Sequence, residues 1–388
     1  MKYYLIAGEA SGDLHGSNLM KGLLRSDPQA EFRFWGGDLM AAVGGREHLA
    51  KHYRDASFFG IGEIVRRLPT VLAQIRECKR DIAAYAPDVL VLIDYPGFNF
   101  RMAKFAHGCG IRVFYYISPK VWAWKEHRVE RIRRYVDKLF IIFPFEVEYF
   151  ARRGIDAVYE GNPLMDAIAE RCAAMPLREE FFRANGFGAR PVIALLAGSR
   201  RSEVRNNLPF MAALAELMPE YDFVLAAVPW LDRELLAGSR IICLYDKTYE
   251  IVRYADAAVV TSGTATLETA LIGTPEVVCY RTDALTVWAG RRLLKIPYIS
   301  LVNLVMGREV VKELIQQEMT PERAAEELRA ILPGGGQRER MLADYDALRK
   351  RIGGPGASER VAARMVALLK GEKAPRPTER EQENGGAK

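Results

Sequence analysis

"VVTSGTATLETALIGTPEVV", residues 259–278, decides the fold because it reads as a strand, a turn, a helix and a second strand. The turn carries Ser262, Gly263 and Thr264, and Glu268 follows one helical turn later. Backbone N–H groups and hydroxyls at a helix N-terminus form a ready anion site. Ser and Thr also cap ordinary helices, and this stretch taken alone favours an ordinary cap over a binding site.

The same alternation of strand and helix runs along both halves of the chain. Strands are predicted at 2–8, 31–37, 88–96, 111–119, 138–145 and 157–161, and again at 190–198, 221–229, 240–245, 256–263 and 275–280. Near-continuous Val, Ile, Leu and Phe runs separated by helical segments indicate parallel sheets covered on both faces. The predicted fold class is therefore α/β, with two facing, doubly wound Rossmann-like domains. Ligands are expected at the carboxyl ends of the strands, in the cleft between the domains.

The domain boundary is predicted where the strands stop, around 165–189. This gives an N-terminal domain over 1–165 and a C-terminal domain over 166–350. The stretch 357–370 is predicted as a last amphipathic helix that joins the N-terminal domain. The polar, Pro- and Gly-rich tail at 371–388 is predicted to be disordered.

The bulk composition suits a two-domain globular protein of 388 residues with 49% hydrophobic content. No run reaches the roughly 18 apolar residues of a membrane span. The N-terminus leads straight into a strand, without the features of a signal peptide, so a cytoplasmic location is expected. The net charge of +6 is compatible with a phosphate-bearing ligand or an anionic membrane, and no nucleic-acid module is visible.

Neither a disulfide framework nor a metal centre is predicted. The cysteines are scattered, odd in number and never in a C-x-x-C pair. The sole D-x-D, formed by Asp344 and Asp346, lies in a helical stretch where side chains two residues apart diverge. No cofactor is therefore expected.

Two further strand-to-helix turns carry charged side chains. Glu9 lies in the Gly-rich turn of "IAGEASGDLHG" (6–16), which matches neither common phosphate-loop pattern. In "LAGSRRSEV" (196–204), Ser199 precedes Arg200 and Arg201. Two guanidiniums beside helix N–H groups suit a diphosphate, and a solvated arginine pair is an equally good interpretation.

Two other candidates follow apolar runs. Asp94, in "LIDYPGFNFRMAK" (92–104), ends a buried strand, where it is either a general base or a turn residue. Asn303 lies in the apolar start of "SLVNLVMGREVVKELIQ" (300–316), and the run after Gly307 is predicted to be helical.

The chain resembles the two-domain nucleotide-sugar glycosyltransferases, and more specifically the lipid A disaccharide synthases. The resemblance extends from Leu5 to about Gln317 and is carried by ordered motifs: "GEASGD", "IDYPGFN", "YYISPKVWAWKEHRV", "PFE", "GNPLMDA", "AGSRRSEV", "SGTATLETAL" and "SLVNLVMGREVVKELIQ". This family joins UDP-2,3-diacylglucosamine to 2,3-diacylglucosamine 1-phosphate through a β-1,6 linkage and releases UDP. Gly97 stands where the family often has a second Asp, so Asp94 alone supplies a carboxylate there.

The resemblance implies a role for each candidate residue. Asp94 is expected to be the base for the acceptor 6-hydroxyl, with Glu9 positioning the acceptor. The remaining residues are expected to bind the UDP-sugar, with Glu268 on the ribose and the others mainly around the diphosphate: Ser199, Arg200, Ser262, Gly263, Thr264, Glu268 and Asn303. The ordinary-cap interpretation of the opening stretch thereby gives way to a binding site.

The resemblance also implies peripheral association with the cytoplasmic face of the inner membrane, because both substrates carry acyl chains. In "FFGIGEIVRRLPTVL" (58–72), apolar residues stand beside Arg66 and Arg67, as in interfacial helices. Composition alone favours a core-facing amphipathic helix here. A UDP-sugar 2-epimerase and a non-catalytic lipid-binding protein remain alternatives, and the sequence leaves a homodimer open.

Overall fold

The structure is a computed structural model that describes residues 1–56, 68–122, 128–231, 233–281 and 297–371. The chain divides into two compact units, one comprising Met1–Pro163 with the segment that starts at Gly356, the other Leu164–Pro355. Among the described residues, no helix is long and apolar enough to cross a membrane.

The first unit is built around a seven-stranded parallel sheet. Its strands are β1 (Lys2–Ala7), β2 (Glu31–Gly36), β3 (Leu49–His52), β4 (Val89–Ile93), β5 (Arg112–Tyr116), β6 (Lys138–Ile141) and β7 (Ala157–Tyr159). Its helices are α1 (Ala10–Ser26), α2 (Asp38–Gly44), α3 (Tyr53–Ala56), α4 (Leu68–Tyr85), α5 (Pro96–Gly108), α6 (Val129–Tyr135) and α7 (Pro144–Ala151), with a 3-10 turn at Arg46–His48.

The strand order β3-β2-β1-β4-β5-β6-β7 reverses direction between β1 and β4. These two strands pair in parallel, with Ile6 opposite Leu92 and Ala7 opposite Ile93. Ligands of open α/β sheets bind at such a reversal, outside the carboxyl ends of the strands. The pairing therefore brings the residues that follow β1 and β4 to one place.

Both faces of this sheet are buried, because alternate side chains of each strand point to opposite faces. Tyr4, Ile6, Leu90 and Leu92 belong to one core cluster, which includes residues of α4, α5 and α6. Tyr3, Leu5, Val89 and Val91 belong to the other, which includes residues of α1 and α2. This explains why the strands read as unbroken apolar runs.

The second unit contains a six-stranded parallel sheet of order β10-β9-β8-β11-β12-β13. Its strands are β8 (Val192–Leu196), β9 (Asp222–Ala227), β10 (Ile242–Tyr245), β11 (Ala257–Thr261), β12 (Glu276–Tyr280) and β13 (Lys312–Ile315). Its helices are α8 (Leu164–Ala173), α9 (Arg178–Asn185), α10 (Arg201–Leu217), α11 (Thr248–Tyr254), α12 (Thr264–Ile272), α13 (Leu301–Met306), α14 (Pro321–Ile331) and α15 (Arg338–Ile352), with 3-10 turns at Arg233–Leu236 and Gln316–Glu318. The strand order reverses between β8 and β11.

The last helix, α16 (Ala357–Lys370), packs against α1 of the first unit and adds Val361, Ala362 and Met365 to its core. Gly22 permits this contact, since a Cβ there would lie 2.8 Å from the Cβ of Ala362. At the edge of the contact, Arg25 forms an ion pair with Glu359 at 2.6 Å.

The predicted helical run after Gly307 is wrong at its centre, because residues 312–315 form strand β13. This strand pairs in parallel with β12, and its Leu314 is fully buried. Short apolar runs fit a helix and a strand equally well. Here residues 312–315 form a strand because they pair with the edge of β12. Strand β3 was also not predicted.

Candidate active site

Asp94 directly follows β4, and its backbone is held in an unusual conformation. Asp94 and the next residue, Tyr95, both have positive φ angles, 43° and 47°. The Asp94 N–H donates to the carbonyl of Tyr116 at 3.1 Å. The Asp94 carbonyl accepts from Asn99 Nδ2 at 2.7 Å and from the Tyr115 hydroxyl at 2.6 Å. Neighbouring elements therefore fix the backbone that carries the carboxylate.

Asp94 lines a cavity of about 200 Å³ at the carboxyl end of the first sheet. Burial, followed by repulsion from the Glu9 carboxylate, raises the pKa of Asp94 to about 6. The charge of Lys120 and the N–H of Tyr95 oppose this shift. A carboxylate with a pKa near working pH suits general-base chemistry.

Glu9 follows β1 on the other side of the strand reversal and is exposed at the N-cap of α1. Its side chain makes no capping hydrogen bond to that helix. Gly8 beside it leaves room for the Tyr95 ring, since a Cβ at position 8 would lie 2.3 Å from that ring. The two predicted residues of the first domain, Glu9 and Asp94, thus influence each other electrostatically.

Asp13, which the sequence analysis did not single out, organises the same edge of the sheet. Its buried carboxylate accepts from the N–H groups of Gly37, Leu39 and Met40 at 2.7, 3.1 and 3.0 Å. It therefore caps α2 from another helix. The sequence signal was available in "GEASGD", but the partners lie more than twenty residues away.

A second wall of the cavity comprises residues 117–121 and 142–143, together with Arg128. Glu146 supports it from behind, accepting from the N–H groups of Ile142 and Phe143 at 3.2 and 3.0 Å and from the Trp122 indole at 3.1 Å. Burial raises the pKa of Glu146 to about 7, although these donors oppose the shift. Glu146 belongs to the "PFE" motif and is a positioning residue for this wall.

In the second unit, the turn between β11 and α12 lies at the strand reversal. The Ser262 hydroxyl donates to the Ile299 carbonyl at 3.0 Å, and the Thr266 hydroxyl donates to the Gly263 carbonyl at 2.9 Å. These hydroxyls hold the turn in place. The N-cap of α12 is Gly263, without a side-chain cap, and both Gly263 and Thr264 are exposed. The helix N-terminus therefore retains the character of an anion site.

Glu268 lies one turn into α12 and is paired with Tyr249, whose hydroxyl donates to it at 3.1 Å. Burial raises the pKa of Glu268, while Tyr249 and the charge of Arg171 oppose the shift. The Arg171 guanidinium lies 4.9 Å from the centre of the Tyr249 ring. Tyr249 lies in α11 and Arg171 in α8. Because both are distant from Glu268 in sequence, no local motif predicts that they lie beside it.

The turn after β8 differs from the expected diphosphate cradle. The N–H groups of Ser199 and Arg200 donate to Glu203 Oε2 at 3.1 and 3.2 Å, so the carboxylate of Glu203 occupies these donors. Arg200 Nη1 also contacts Glu203 Oε1 at 3.1 Å, yet the Arg200 side chain is 80% exposed. The guanidinium, rather than the backbone of this turn, is what remains accessible to a ligand.

The ends of β8 and β11 are joined by Asn207, whose buried amide donates to the Ala197 carbonyl at 3.1 Å and to Thr261 Oγ1 at 2.8 Å. This link fixes the two turns relative to each other within the unit. It was missed in the sequence because Asn207 lies mid-helix, away from any motif.

Asn303 is fully buried and its side chain is engaged within the fold. Its Oδ1 accepts from the N–H groups of Val310 and Val311 at 2.7 and 3.0 Å. Its Nδ2 donates to the Val311 carbonyl and to Glu313 Oε1, both at 2.9 Å. This arrangement ties α13 to β13, so in the structure Asn303 shapes the loop rather than pointing to solvent.

Comparison with solved structures gives the fold class. The chain matches a UDP-GlcNAc 2-epimerase from Neisseria meningitidis bound to UDP-GlcNAc with a TM-score of 0.66 at 13% identity, covering 95% of this chain and 100% of that one. A UGT transferase from Siraitia grosvenorii in complex with UDP gives a TM-score of 0.60 at 15% identity, covering 95% of this chain and 99% of that one. With its two parallel sheets, the protein has the two-domain Rossmann-like fold of the GT-B class.

Sequence comparison gives the family within this class. A model of the lipid-A-disaccharide synthetase family matches residues 3–362. The lipid-A-disaccharide synthase of Myxococcus xanthus is 39% identical over 375 residues, covering 94% of this chain and 97% of the relative. That of Syntrophus aciditrophicus is 39% identical over 382 residues, covering 94% and 97%. The chain belongs to the lipid-A-disaccharide synthetase family and is a glycosyltransferase; the epimerases are relatives in fold alone.

Proposed function

We propose that the protein transfers 2,3-diacylglucosamine from UDP to the 6-hydroxyl of 2,3-diacylglucosamine 1-phosphate, with Asp94 as the general base. The observation that carries this assignment is Asp94 itself: neighbouring residues fix its backbone at a strand reversal, it lines a cavity, and the pKa of its carboxyl group is raised to about 6. The family membership supports a UDP-sugar donor and a lipid acceptor.

In the proposed reaction the acceptor oxygen forms a bond to the anomeric carbon while the bond from that carbon to the UDP oxygen breaks. Asp94 takes the proton of the attacking hydroxyl, and the electron pair of the broken bond leaves with UDP. Negative charge then develops on the diphosphate, where the Arg200 guanidinium and the N-terminus of α12 stabilise it. A single displacement of this kind inverts the anomeric centre.

Glu268 is proposed to accept hydrogen bonds from the ribose hydroxyls of the donor. Its pairing with Tyr249 at 3.1 Å supports this role, since the tyrosine orients the carboxylate and leaves acceptor capacity free. Ser199, Ser262, Gly263 and Thr264 are proposed to surround the diphosphate. Asn303 would act indirectly, by fixing the loop between α13 and β13.

The test is incubation of the purified protein with both lipid substrates, following UDP release and disaccharide formation by mass spectrometry. Wild-type protein is expected to yield UDP and a β-1,6 disaccharide 1-phosphate in equal amounts. Conversion of UDP-GlcNAc to its 2-epimer, without disaccharide, would instead favour the epimerase alternative. UDP-lipid binding without either product would favour a non-catalytic lipid-binding protein.

Peripheral association with the inner membrane is proposed from the acyl chains of both substrates and from the apolar stretch at 58–72. Most of that stretch, including Phe58, Phe59, Ile61, Ile64, Val65, Arg66 and Arg67, lies outside the described residues. Among the described part, Val71 packs against the core of the first unit, whereas Leu72 is 42% exposed. A homodimer is likewise a proposal, which the mass of the protein in solution would test.

A further inference from the structure

Two cationic side chains line the cavity that holds Asp94. Lys120 is exposed, and Arg128 is half-buried at the start of α6. Within the described residues, neither cation has a carboxylate oxygen within 4.0 Å. The nearest aromatic contact of Arg128 is the Phe100 ring, whose centre lies 6.0 Å from the guanidinium carbon.

The positive charge of this wall acts on two nearby carboxyl groups and on a neighbouring arginine. Burial, followed by repulsion from Arg131, lowers the pKa of Arg128. The charge of Lys120 acts on two carboxyl groups, because it lowers the pKa values of both Asp94 and Glu146 against the effect of burial. A half-buried guanidinium such as that of Arg128 is costly to desolvate, and an anion bound beside it offsets that cost.

We propose that Lys120 and Arg128 form a subsite for the phosphate monoester of the acceptor substrate. This inference rests on the proposed function, because the acceptor must carry a phosphate. A guanidinium matches phosphate oxygens in bidentate geometry, and a lysine ammonium adds a compact charge.

The chemistry of the cavity favours an anion that enters beside Asp94. An uncharged sugar needs no cation, and the Asp94 carboxylate would repel a phosphate unless positive charge were nearby. Among the described residues that line the cavity, the two cations outnumber the one carboxylate, Asp94. The remaining lining is largely apolar, with Ile117, Val121, Ile142 and Phe143 among its residues. The subsite would therefore select a phosphorylated glycolipid over its phosphate-free form.

The experiment compares two acceptors, 2,3-diacylglucosamine 1-phosphate and the same lipid without phosphate, with a fixed UDP-sugar donor. The readout is the ratio of kcat/KM for the two acceptors. We expect wild-type protein to prefer the phosphorylated acceptor, and Lys120→Met and Arg128→Gln each to lower the ratio by about 10- to 100-fold, as loss of a charge-assisted hydrogen bond would. Matched controls are Lys104→Met and Arg134→Gln, exposed cations of α5 and α6 outside the cavity lining, which should keep the wild-type ratio.

The outcomes separate this subsite from other roles of the same residues. If a variant keeps the wild-type ratio, even when its activity with both acceptors falls, the proposal is overturned and the substituted residue has a structural role. A fall in UDP affinity, measured by calorimetry on the variants, would assign the cations to the donor diphosphate and also overturn it. If wild-type protein forms disaccharide with neither acceptor, the proposed function itself fails. The thermal transition of each variant checks that it is folded.

Discussion

At the scale of single residues, the proposed chemistry depends on how the backbone of Asp94 is held. Its positive φ angle is uncommon outside glycine, and such conformations cost roughly 1–3 kcal/mol unless the surroundings impose them. Here Asn99, Tyr115 and Tyr116 impose it through three hydrogen bonds to the Asp94 backbone. The sequence could place Asp94 at a strand end, but not this conformation, because two of the three partners come from the neighbouring strand β5.

We expect Asp94 to set the acidic limb of the pH profile of the proposed reaction. Because its pKa is raised to about 6, the carboxylate is ionised and able to accept a proton above that pH. We expect kcat/KM of the wild-type protein to rise with pH through about 6 and then to become constant. The residual activity of Asp94→Asn should lack this rise. Initial rates from pH 5 to 8 measure it. An unchanged limb in Asp94→Asn would assign the titration to another group.

The same substitution is expected to stabilise the protein at neutral pH. The carboxyl pKa is raised in the folded state, from 3.8 to about 6, so ionisation of Asp94 removes stability as pH rises through that window. Asparagine avoids this penalty and tolerates a positive φ. The free energy of unfolding of Asp94→Asn should exceed that of wild type by about 1–3 kcal/mol at pH 7.5, and the gap should close near pH 4. Urea denaturation at both pH values measures this difference in unfolding free energy. A variant less stable than wild type at pH 7.5 would show that burial does not destabilise the ionised carboxylate.

Glu268 should affect donor binding more than chemistry. Glu268→Gln weakens a contact that the nucleotide keeps in ground and transition states alike, so the KM for UDP-sugar should rise about tenfold and kcat should fall less. Tyr249→Phe removes the hydroxyl 3.1 Å from Glu268 and should shift KM in the same direction by a smaller factor. Steady-state kinetics check both; a large loss of kcat at constant KM would instead give Glu268 a part in the chemical step.

At the scale of elements, all central strands could be predicted from the sequence, whereas two of the four edge strands, β3 and β13, could not. Each strand predicted in both halves is present. The central strands were readable because buried parallel strands form apolar runs. The pattern of residues 312–315 fits a helix as well as a strand, because four residues carry no decisive period, and β13 forms by pairing with β12. Lys120, Arg128 and Glu146 were missed as site residues for a related reason: nothing local in the sequence shows that they line or support the Asp94 cavity.

The contact between α1 and α16 offers a test at this scale. Gly22→Ala would place a Cβ 2.8 Å from that of Ala362 and 3.0 Å from the backbone Cα of Glu359, so the helices must separate. We expect a loss of about 1–3 kcal/mol in unfolding free energy, typical of overpacking. Gly108→Ala, with no atom within 4 Å of the added Cβ, is the matched control. Equal stability of the two variants in urea denaturation would mean that α16 does not pack on α1 in solution.

At the scale of the whole molecule, each unit presents candidate binding residues at the reversal of strand order in its own sheet. Glu9 and Asp94 follow β1 and β4 in the first unit. The turn of Ser199 and Arg200 and the turn of Ser262 to Thr264 follow β8 and β11 in the second. Repetition of one fold therefore provides separate sites for acceptor and donor in the proposed reaction.

Membrane association is a property of the whole molecule and is tested with vesicles. Replacing Ile64, Val65 and Leu68 together by Ser should lower co-sedimentation with anionic vesicles, because an interfacial segment loses its apolar anchor. The thermal transition should stay near that of wild type. A variant that instead loses its cooperative unfolding would identify these side chains as core.

The assignment of Asp94 as the base is tested most directly by one paired measurement on Asp94→Asn. Turnover with both lipid substrates and UDP affinity by calorimetry are determined on the same preparation, beside wild type. Asparagine keeps the shape of the side chain and removes the proton acceptor, so kcat should fall by roughly 10²–10⁴-fold while UDP affinity remains near wild type. Near-full turnover in this variant would contradict the account and return Asp94 to the role of a turn residue.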